Sequence, residues 1–259
     1  MSEPVYPPAG LEVLYADADL IAVNKPAGMH TAPLGRKGED TLLARLIERY
    51  PEIAGLPGIK PVEPGLLHRL DRDTSGIVLV ARTPEAFRLL KAEFAGGRVR
   101  KEYLALCVPQ AGFAPAAAVK PGDRYRVESR FAPFGPGRRK VRVVPASGPA
   151  GRAARLAAPG LYRTEAEVLE LHGPRALVRA ALVRGFRHQV RAHLAFLGLP
   201  IVGDALYGVA APPGAPDRLY LHASAIELAL PSSGGKLRLE APLPPEFALC
   251  YGGGLGGYR

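Results

Sequence analysis

The residues most able to do chemistry concentrate in one segment, His68 to Gly76, which reads His-Arg-Leu-Asp-Arg-Asp-Thr-Ser-Gly and leads into the apolar run Ile77 to Ala81. Two aspartates and two arginines therefore meet where a loop enters a buried strand. Charged groups are costly to bury alone, so acids and cations at such a place either pair with one another or serve a ligand. The segment is the first candidate for a functional site.

Asp71 is the residue of this segment best suited to covalent or ion-pair chemistry at a sugar–base bond. An aspartate can attack an electron-poor carbon without a cofactor, and a neighbouring cation keeps its carboxylate ionised. An aromatic residue such as Tyr103 could stack on a base and move a proton through its hydroxyl. On spacing alone, however, the favoured interpretation of Asp71 is a turn residue that pairs with Arg69 or Arg72.

Other chemistries fit the sequence poorly. Asp71 and Asp73 lie two residues apart in a loop, which fixes no carboxylate separation for glycoside hydrolysis. A kinase catalytic loop is interrupted by Leu70, and the glycine-rich spacing from Gly252 to Gly257 has no helix after it. The six histidines show no metal-ligand spacing, and His68 suits a hydrogen-bonded structural role. We therefore expect no metal site.

The charge of the chain favours a polyanionic partner. Its formal net charge is +10, and its basic residues are 26 arginines and eight lysines. Guanidinium groups match phosphates with two hydrogen bonds and stack on bases, so this surplus suits nucleic acid. A codon bias toward arginine, alanine, glycine and proline explains the charge equally well.

Length and composition indicate a globular protein, because 259 residues with 47% hydrophobic content suffice for a large core. The first residues lack the basic and apolar stretches of an export signal, and no apolar run is long enough to cross a membrane. Cys107 and Cys250 are too far apart in sequence to form a disulfide framework or a metal knuckle. We expect a cytoplasmic protein with no membrane partner.

Short elements must position the segment. Asn24 and Lys25 stand at the end of a buried strand that Pro26 stops, and Asp40 or Thr41 caps the first helix. The composition does not break into halves, which favours one domain. Strands are predicted at 19–24, 77–81, 101–108, 164–171 and 176–182, helices at 41–50, 83–96 and 188–197, and a basic edge strand with a long loop within 131–160.

An ordered series of motifs resembles the RluA family of RNA pseudouridine synthases. The series begins with Val23 to Gly28 and continues with His68 to Gly76, Lys101 to Ala105 and His188 to Leu194. Further matches are Gly198 to Asp204, Leu206 to Gly208, Leu221 to Ala223 and Ala241 to Pro244. The motifs stand in the family's order and cover about residues 11 to 247.

The resemblance implies a single α+β catalytic domain over residues 11–247 that isomerises uridine to pseudouridine in ribosomal or transfer RNA without a cofactor. Its sheet is expected to be mixed and largely antiparallel, flanked by helices and loops. By the same resemblance Asp71 acts on a flipped-out uridine, Tyr103 lines the base and accepts a proton, and Arg191 pairs with Asp71. Arg69 fills the gap that the flipped base leaves, and Leu221 lines the base pocket.

The chemical step stays open at this point. Asp71 attacks the anomeric carbon, helps to expel the base as an anion, or adds to the uracil ring. Base flipping costs a few kcal/mol, which phosphate contacts of a basic surface must supply. We expect that surface in the stretch from Arg138 to Arg155. The residues assigned to it are Arg138, Arg139, Lys140 and Arg187.

Two departures from the family pattern have consequences. Phe186 stands where the family has an arginine, so that contact must come from Arg184 or Arg187 if it is kept. We expect no separate amino-terminal RNA-binding domain, flexible termini at residues 1–10 and 248–259, and a monomer. The alternative function is a non-catalytic RNA-binding or RNA-folding protein that retains the synthase scaffold.

Overall fold

The protein is described here by a computed structural model that covers residues 11–34, 39–110, 119–146, 152–230 and 234–251. These residues group into two compact units. The first contains the chain up to Lys101 together with residues 222–242, and the second contains residues 102–221 together with the chain from Leu243. The prediction of one catalytic domain over 11–247 is not tested by this grouping and stays a prediction.

The first unit contains five strands that pair side by side. They are β1 (Glu12–Ala16), β2 (Leu20–Lys25), β3 (Ser75–Ala81), β9 (Leu221–Ala229) and β10 (Lys236–Glu240). Their order is β1-β2-β3-β9, and β10 also pairs with β9. The pairs are antiparallel except for the parallel pair of β3 and β9, in which Ser75 lies opposite His222. All seven residues of β3 are buried. An unbroken apolar strand is expected where both faces of a sheet are covered.

Helices α1 (Leu42–Arg49) and α2 (Pro84–Ala95) complete the first unit, and a 3-10 turn at Pro51–Gly55 follows α1. Both begin at a threonine whose hydroxyl accepts a main-chain N–H: Thr41 from Ala44 at 3.2 Å and Thr83 from Ala86 at 3.1 Å. Such caps satisfy donors that a helix start leaves unpaired. The structure thus places both predicted helices, and it assigns the first cap to Thr41.

The second unit also contains five strands that pair side by side. In spatial order they are β4 (Arg100–Cys107), β8 (Arg175–Leu182), β7 (Tyr162–His172), β5 (Arg124–Phe134) and β6 (Lys140–Pro145). The β5–β6, β5–β7 and β7–β8 pairs are antiparallel. The predicted fold class, α+β with a mixed and largely antiparallel sheet, is therefore confirmed. The predicted basic edge strand corresponds to β6, the last strand of this order.

The second unit also contains α3 (Arg152–Arg155), α4 (Gln189–Phe196), α5 (Glu246–Tyr251) and a 3-10 turn at Pro136–Arg138. The prediction of a flexible terminus from residue 248 is wrong as far as Tyr251, because α5 continues to that residue and buries Cys250 and Tyr251. Residues 1–10 and 252–259 lie outside the described residues, as do 147–151 of the predicted loop. None of the helices described has the length and apolar character needed to cross a membrane.

Candidate active site and its supporting contacts

Asp71 opens a tight turn that leads into β3. The N–H of Thr74 donates to the carbonyl of Asp71 at 3.2 Å, which closes a turn over residues 71–74. Asp71 is half-buried, whereas Arg72 and Asp73 at the tip of the turn are exposed. The carboxylate that sequence singles out therefore stands at the boundary between the core and solvent.

Thr31 holds the residue before Asp71. Its hydroxyl donates to the carbonyl of Leu70 at 2.8 Å and accepts from the N–H of Leu70 at 3.2 Å. Thr31 is only 2% exposed, and Leu70 is buried with it. Because a single hydroxyl satisfies both main-chain groups, the backbone that enters Asp71 is held in one conformation.

Lys25 holds the residue after Asp71. This side chain at the end of β2 is fully buried, and its Nζ donates to the carbonyls of Pro26 at 2.8 Å, Met29 at 2.8 Å and Arg72 at 3.0 Å. The ammonium group therefore joins the turn after β2 to the turn that carries Asp71. With Thr31 on one side and Lys25 on the other, Asp71 lies between two anchored residues.

Gly76 ends the segment for a steric reason. Its φ is +114°, and a Cβ at this position would overlap the main chain of Ala223 in the neighbouring strand β9. Only glycine permits this close approach of two backbones. The glycine of the motif is thus required by the sheet below the turn.

The two arginines beside Asp71 have other carboxylates within reach. Arg69 donates from Nη1 to Glu63 at 2.5 Å, and Glu63 is 1% exposed. Arg72 lies 3.7 Å from Asp73, in an exposed pair. The sequence interpretation considered only Asp71 as the acid for these arginines. Glu63 was missed because it stands in a Pro/Gly-rich loop that carries no motif.

Arg191 lies on α4 and is held by Asp204. The carboxylate accepts from Nε and from Nη2 of Arg191, each at 2.7 Å, and from the N–H groups of Leu206 and Tyr207 at 2.8 and 3.1 Å. Burial alone would raise the pKa of Asp204, but the guanidinium and these N–H groups outweigh it and lower that pKa. The ion pair thus stays charged, and it orients the guanidinium. Asp204 stands in a motif quoted above but was not assigned a role.

Tyr103 and Leu221 occupy the positions that sequence assigned to the base pocket. Tyr103 lies on β4 and is 9% exposed, and Leu221 begins β9 and is 3% exposed. Both side chains are therefore buried within the fold. Their contact with a base, and the pairing of Asp71 with Arg191, stay predictions.

His68 has a structural environment. Its ring stacks on Phe94 with centroids 5.3 Å apart, and its Nε2 accepts the N–H of Leu79 at 3.2 Å. Burial, aided by the charges of Lys101 and Lys91, lowers the pKa of His68 to about 3. The neutral ring is thus an acceptor that fastens the segment to β3.

The predicted RNA-contacting residues of the second unit lie together. Arg187 donates from Nη2 to the carbonyls of Arg138 at 2.8 Å and Lys140 at 3.3 Å. The N–H of Val141 donates to the hydroxyl of Tyr207 at 2.6 Å. The two Arg187 bonds tie the β5–β6 turn and the start of β6 to the loop before α4, and the Tyr207 bond ties β6 to the loop after α4. Arg138, Arg139, Lys140 and Arg187 therefore belong to one surface region.

Phe186, the departure from the family pattern, is a packing residue. It stacks on Phe131 with centroids 5.0 Å apart and planes 7° from parallel, and it contacts Tyr162 at 4.9 Å. Phe131 and Ala192 form the buried core at this point. An aromatic residue at position 186 thus supports α4 against β5 and β7. Its neighbour Arg187 is exposed.

In the described part of the chain, no cluster of three or more His, Cys, Asp or Glu side chains has the arrangement of a metal site. Asp71 on its anchored turn belongs to the first unit, whereas Tyr103 and the buried pair of Arg191 and Asp204 belong to the second.

A family model described as RNA pseudouridylate synthase matches residues 19–196, a range that contains Asp71, Tyr103 and Arg191. The chain belongs to this family. The resemblance stated from the motif series is therefore confirmed. The chain is 36% identical to an uncharacterized RNA pseudouridine synthase of Chloroflexus aurantiacus over 87% of its own length and 64% of the relative.

Other relatives carry more specific names. The ribosomal large subunit pseudouridine synthase D of Pseudomonas aeruginosa is 31% identical over 92% of this chain and 69% of its own length. The Xanthomonas campestris protein of the same name is 33% identical over 92% and 67%. The chain thus spans about two thirds of the length of these relatives. The structure of human RNA pseudouridylate synthase domain containing 1 matches with a TM-score of 0.68 at 24% identity, over 95% of this chain and 91% of the human one, which supports the fold.

Proposed function

We propose that the protein converts uridine to pseudouridine in RNA, with Asp71 as the residue that acts on a flipped-out uridine. In this isomerisation the bond between N1 of uracil and C1′ of ribose breaks, and a bond between C5 and C1′ forms. The proton of C5 is lost and N1 gains one, so the reaction needs no co-reactant. The observation that carries the proposal is the half-buried carboxylate of Asp71 on a turn that Thr31 and Lys25 anchor, in a chain of this family.

The other residues keep the roles that the family resemblance implies. Arg191 is the cation for Asp71, and Asp204 supports this role because it holds the guanidinium in one orientation through two hydrogen bonds. Tyr103 lines the base, and its hydroxyl or a water beside it removes the C5 proton. Arg69 fills the gap that the flipped base leaves, and Leu221 lines the pocket.

We take RNA of the large ribosomal subunit as the substrate class, ahead of transfer RNA. Two relatives at 31% and 33% identity are named as synthases of the large ribosomal subunit. The exposed cations Arg138, Arg139 and Arg187, with Lys140 beside them, contribute to RNA affinity through phosphate contacts. We propose that the protein works as a monomer in the cytoplasm and without a cofactor.

The direct test is release of tritium from RNA labelled at C5 of uridine. The wild-type protein should release tritium, and Asp71→Asn should abolish release while RNA binding persists. Asp73→Asn is the matched control, because Asp73 is an exposed carboxylate of the same turn, and it should keep activity within about twofold of wild type.

Two results would contradict this proposal. The first is that the wild-type protein releases no tritium from labelled bulk RNA of a deletion strain, which would contradict the enzymatic function. Rescue of a deletion phenotype by Asp71→Asn favours a non-catalytic RNA-binding or RNA-folding protein instead. Carbodiimide mapping of ribosomal and transfer RNA, with and without the gene, identifies the uridine and decides between the two RNA classes.

A further inference from the structure

Charges are distributed unevenly over the second unit. Along β5, β7 and β8 several arginines have acidic partners: Glu167 pairs with Arg124 at 3.0 Å and with Arg179, and Glu128 pairs with Arg163 at 2.9 Å. At the β5–β6 turn and in the adjoining loop before α4, the cations have no acidic partner among the described residues. Within the residues described, no ion pair is made by Arg138, Arg139, Lys140, Arg142, Arg184 or Arg187. This end of the unit therefore presents uncompensated positive charge.

An exposed aromatic ring lies among these cations. Phe134, at the end of β5, is 42% exposed, and the guanidinium carbon of Arg142 on β6 lies 4.1 Å from the centroid of its ring. In the hairpin register Phe134 is opposite Lys140 and diagonally across from Arg142. The short distance indicates a stacked cation–π pair. One exposed phenylalanine is ordinary, but a ring stacked with an arginine that has no carboxylate is a specific arrangement.

The hairpin that carries the pair is held firmly. The hydroxyl of Tyr207 accepts the N–H of Val141, and Arg187 donates to the carbonyls of Arg138 and Lys140. Behind it, Phe131 and Val141 are buried in the core. The stacked pair therefore stands on a rigid support, which lowers the entropy that a ligand must remove on binding.

We propose that Phe134 and Arg142 form a stacking platform for one unpaired base of the RNA substrate. An aromatic ring beside an arginine plane offers a surface on which any base can stack, and the surrounding cations hold the phosphates on either side of it. The choice of RNA as the ligand rests on the proposed function. Phe134 and Arg142 are additional to the residues assigned to RNA contact above.

Binding of a short, fluorescently labelled single-stranded RNA, measured as a function of salt, tests the platform. Phe134→Ala and Phe134→Leu should weaken binding about tenfold at fixed salt and leave the salt dependence unchanged, because stacking carries no charge. Phe134→Trp should retain affinity. Arg142→Ala should lower the slope of log Kd against log salt by about one, whereas Arg142→Lys should keep the slope but lose the stacking share of the affinity.

Matched controls come from the same unit. Phe196 is 47% exposed on α4 without a cation–π partner among the described residues, and Arg124 is an exposed arginine that Glu167 neutralises. Phe196→Ala and Arg124→Ala should bind RNA within about twofold of wild type. A 2-aminopurine base in the same RNA should be quenched by wild type and much less by Phe134→Ala.

Tritium release separates failure of the platform from failure of the proposed function. If the wild-type protein is active and binds RNA, but Phe134→Ala and Arg142→Lys bind as tightly as wild type, the platform is wrong while the function stands. If the RNA is not bound at all but poly-glutamate binds in a manner that depends on Phe134 and Arg142, the surface serves an acidic protein and the proposal is overturned.

Discussion

Lys25 donates a hydrogen bond of 3.0 Å to the carbonyl of Arg72, 47 residues later in the chain. Thr31 makes the matching contacts with Leu70, so that the backbone on both sides of Asp71 is fixed by buried side chains at the end of β2 and in the segment that follows it. A carboxylate that must meet a reacting atom benefits from such support, since a displacement of about 1 Å can cost about a hundredfold in rate. In the proposed function, the contacts of Asp71 with its substrate therefore depend on the backbone support that Lys25 and Thr31 provide.

Lys25→Met should remove the support after Asp71. Three carbonyls lose their donor, which should lower the free energy of unfolding by about 3 kcal/mol, and tritium release should slow by at least about tenfold. Lys91→Met is the control, because Lys91 is half-buried and makes one bond of 3.3 Å, to the carbonyl of Leu67. Denaturant titration measures the change in stability, and initial rates of tritium release measure the change in activity. A wild-type kcat for Lys25→Met would contradict the positioning role of Lys25.

Thr31→Val should loosen the turn from the other side. The substitution keeps the shape and leaves the N–H and C=O of Leu70 without the hydroxyl, at a cost of about 2 kcal/mol. Thr31→Ser retains the hydroxyl and should retain most of the activity. We expect the kcat for tritium release to fall more than KM rises, because binding groups are unchanged. Equal loss in both variants would point to packing as the cause.

Asp204→Asn should disturb Arg191 without removing it. The two hydrogen bonds of 2.7 Å lose their charge, and a buried guanidinium is left poorly compensated, which should lower the free energy of unfolding by about 3 kcal/mol. Glu128→Gln breaks exposed pairs in the same unit and should change that free energy by less than about 1 kcal/mol. Chemical denaturation at neutral pH compares the two, and equal stabilities would contradict the role given to Asp204.

His193 should make the fold sensitive to mild acid. This ring is fully buried between the hydroxyls of Ser129 and Thr164, each at 2.8 Å, and burial lowers its pKa from 6.5 to about 4. Between these two values the unfolded chain takes up a proton that the folded protein refuses. The part of the free energy of unfolding that depends on His193 should therefore fall as pH drops from 6.5 to 4, by up to about 1.4 kcal/mol per pH unit, and the buried His68 adds a loss of the same sign.

A substitution tests the assignment of this acid sensitivity. His193→Gln should be less stable at pH 7, because it packs imperfectly between the hydroxyls, and its stability should fall less steeply toward pH 4. His172→Gln, at an exposed side chain, controls for removal of a histidine. Denaturant midpoints at several pH values measure the slopes, and parallel slopes for wild type and His193→Gln would assign the acid sensitivity to other groups.

Local chemistry made several elements predictable. Thr41 and Thr83 cap helices because a threonine hydroxyl satisfies N–H groups only two or three residues away. β3 follows from an apolar run. By contrast, β10 was not predicted, because its residues are mostly exposed and its order comes from pairing with β9.

The features of the site likewise divide into those that the sequence determined and those that the tertiary structure decided. The sequence alone determined the family, through the order of its motifs, and with it the choice of Asp71, Tyr103 and Arg191. Only the tertiary structure decided that Arg69 meets Glu63, that Arg191 meets Asp204, and that Lys25 and Thr31 hold the turn around Asp71. Such partners are set by the packing of separate elements, since a hydrogen bond needs atoms within about 3 Å and spacing along the chain does not specify that distance.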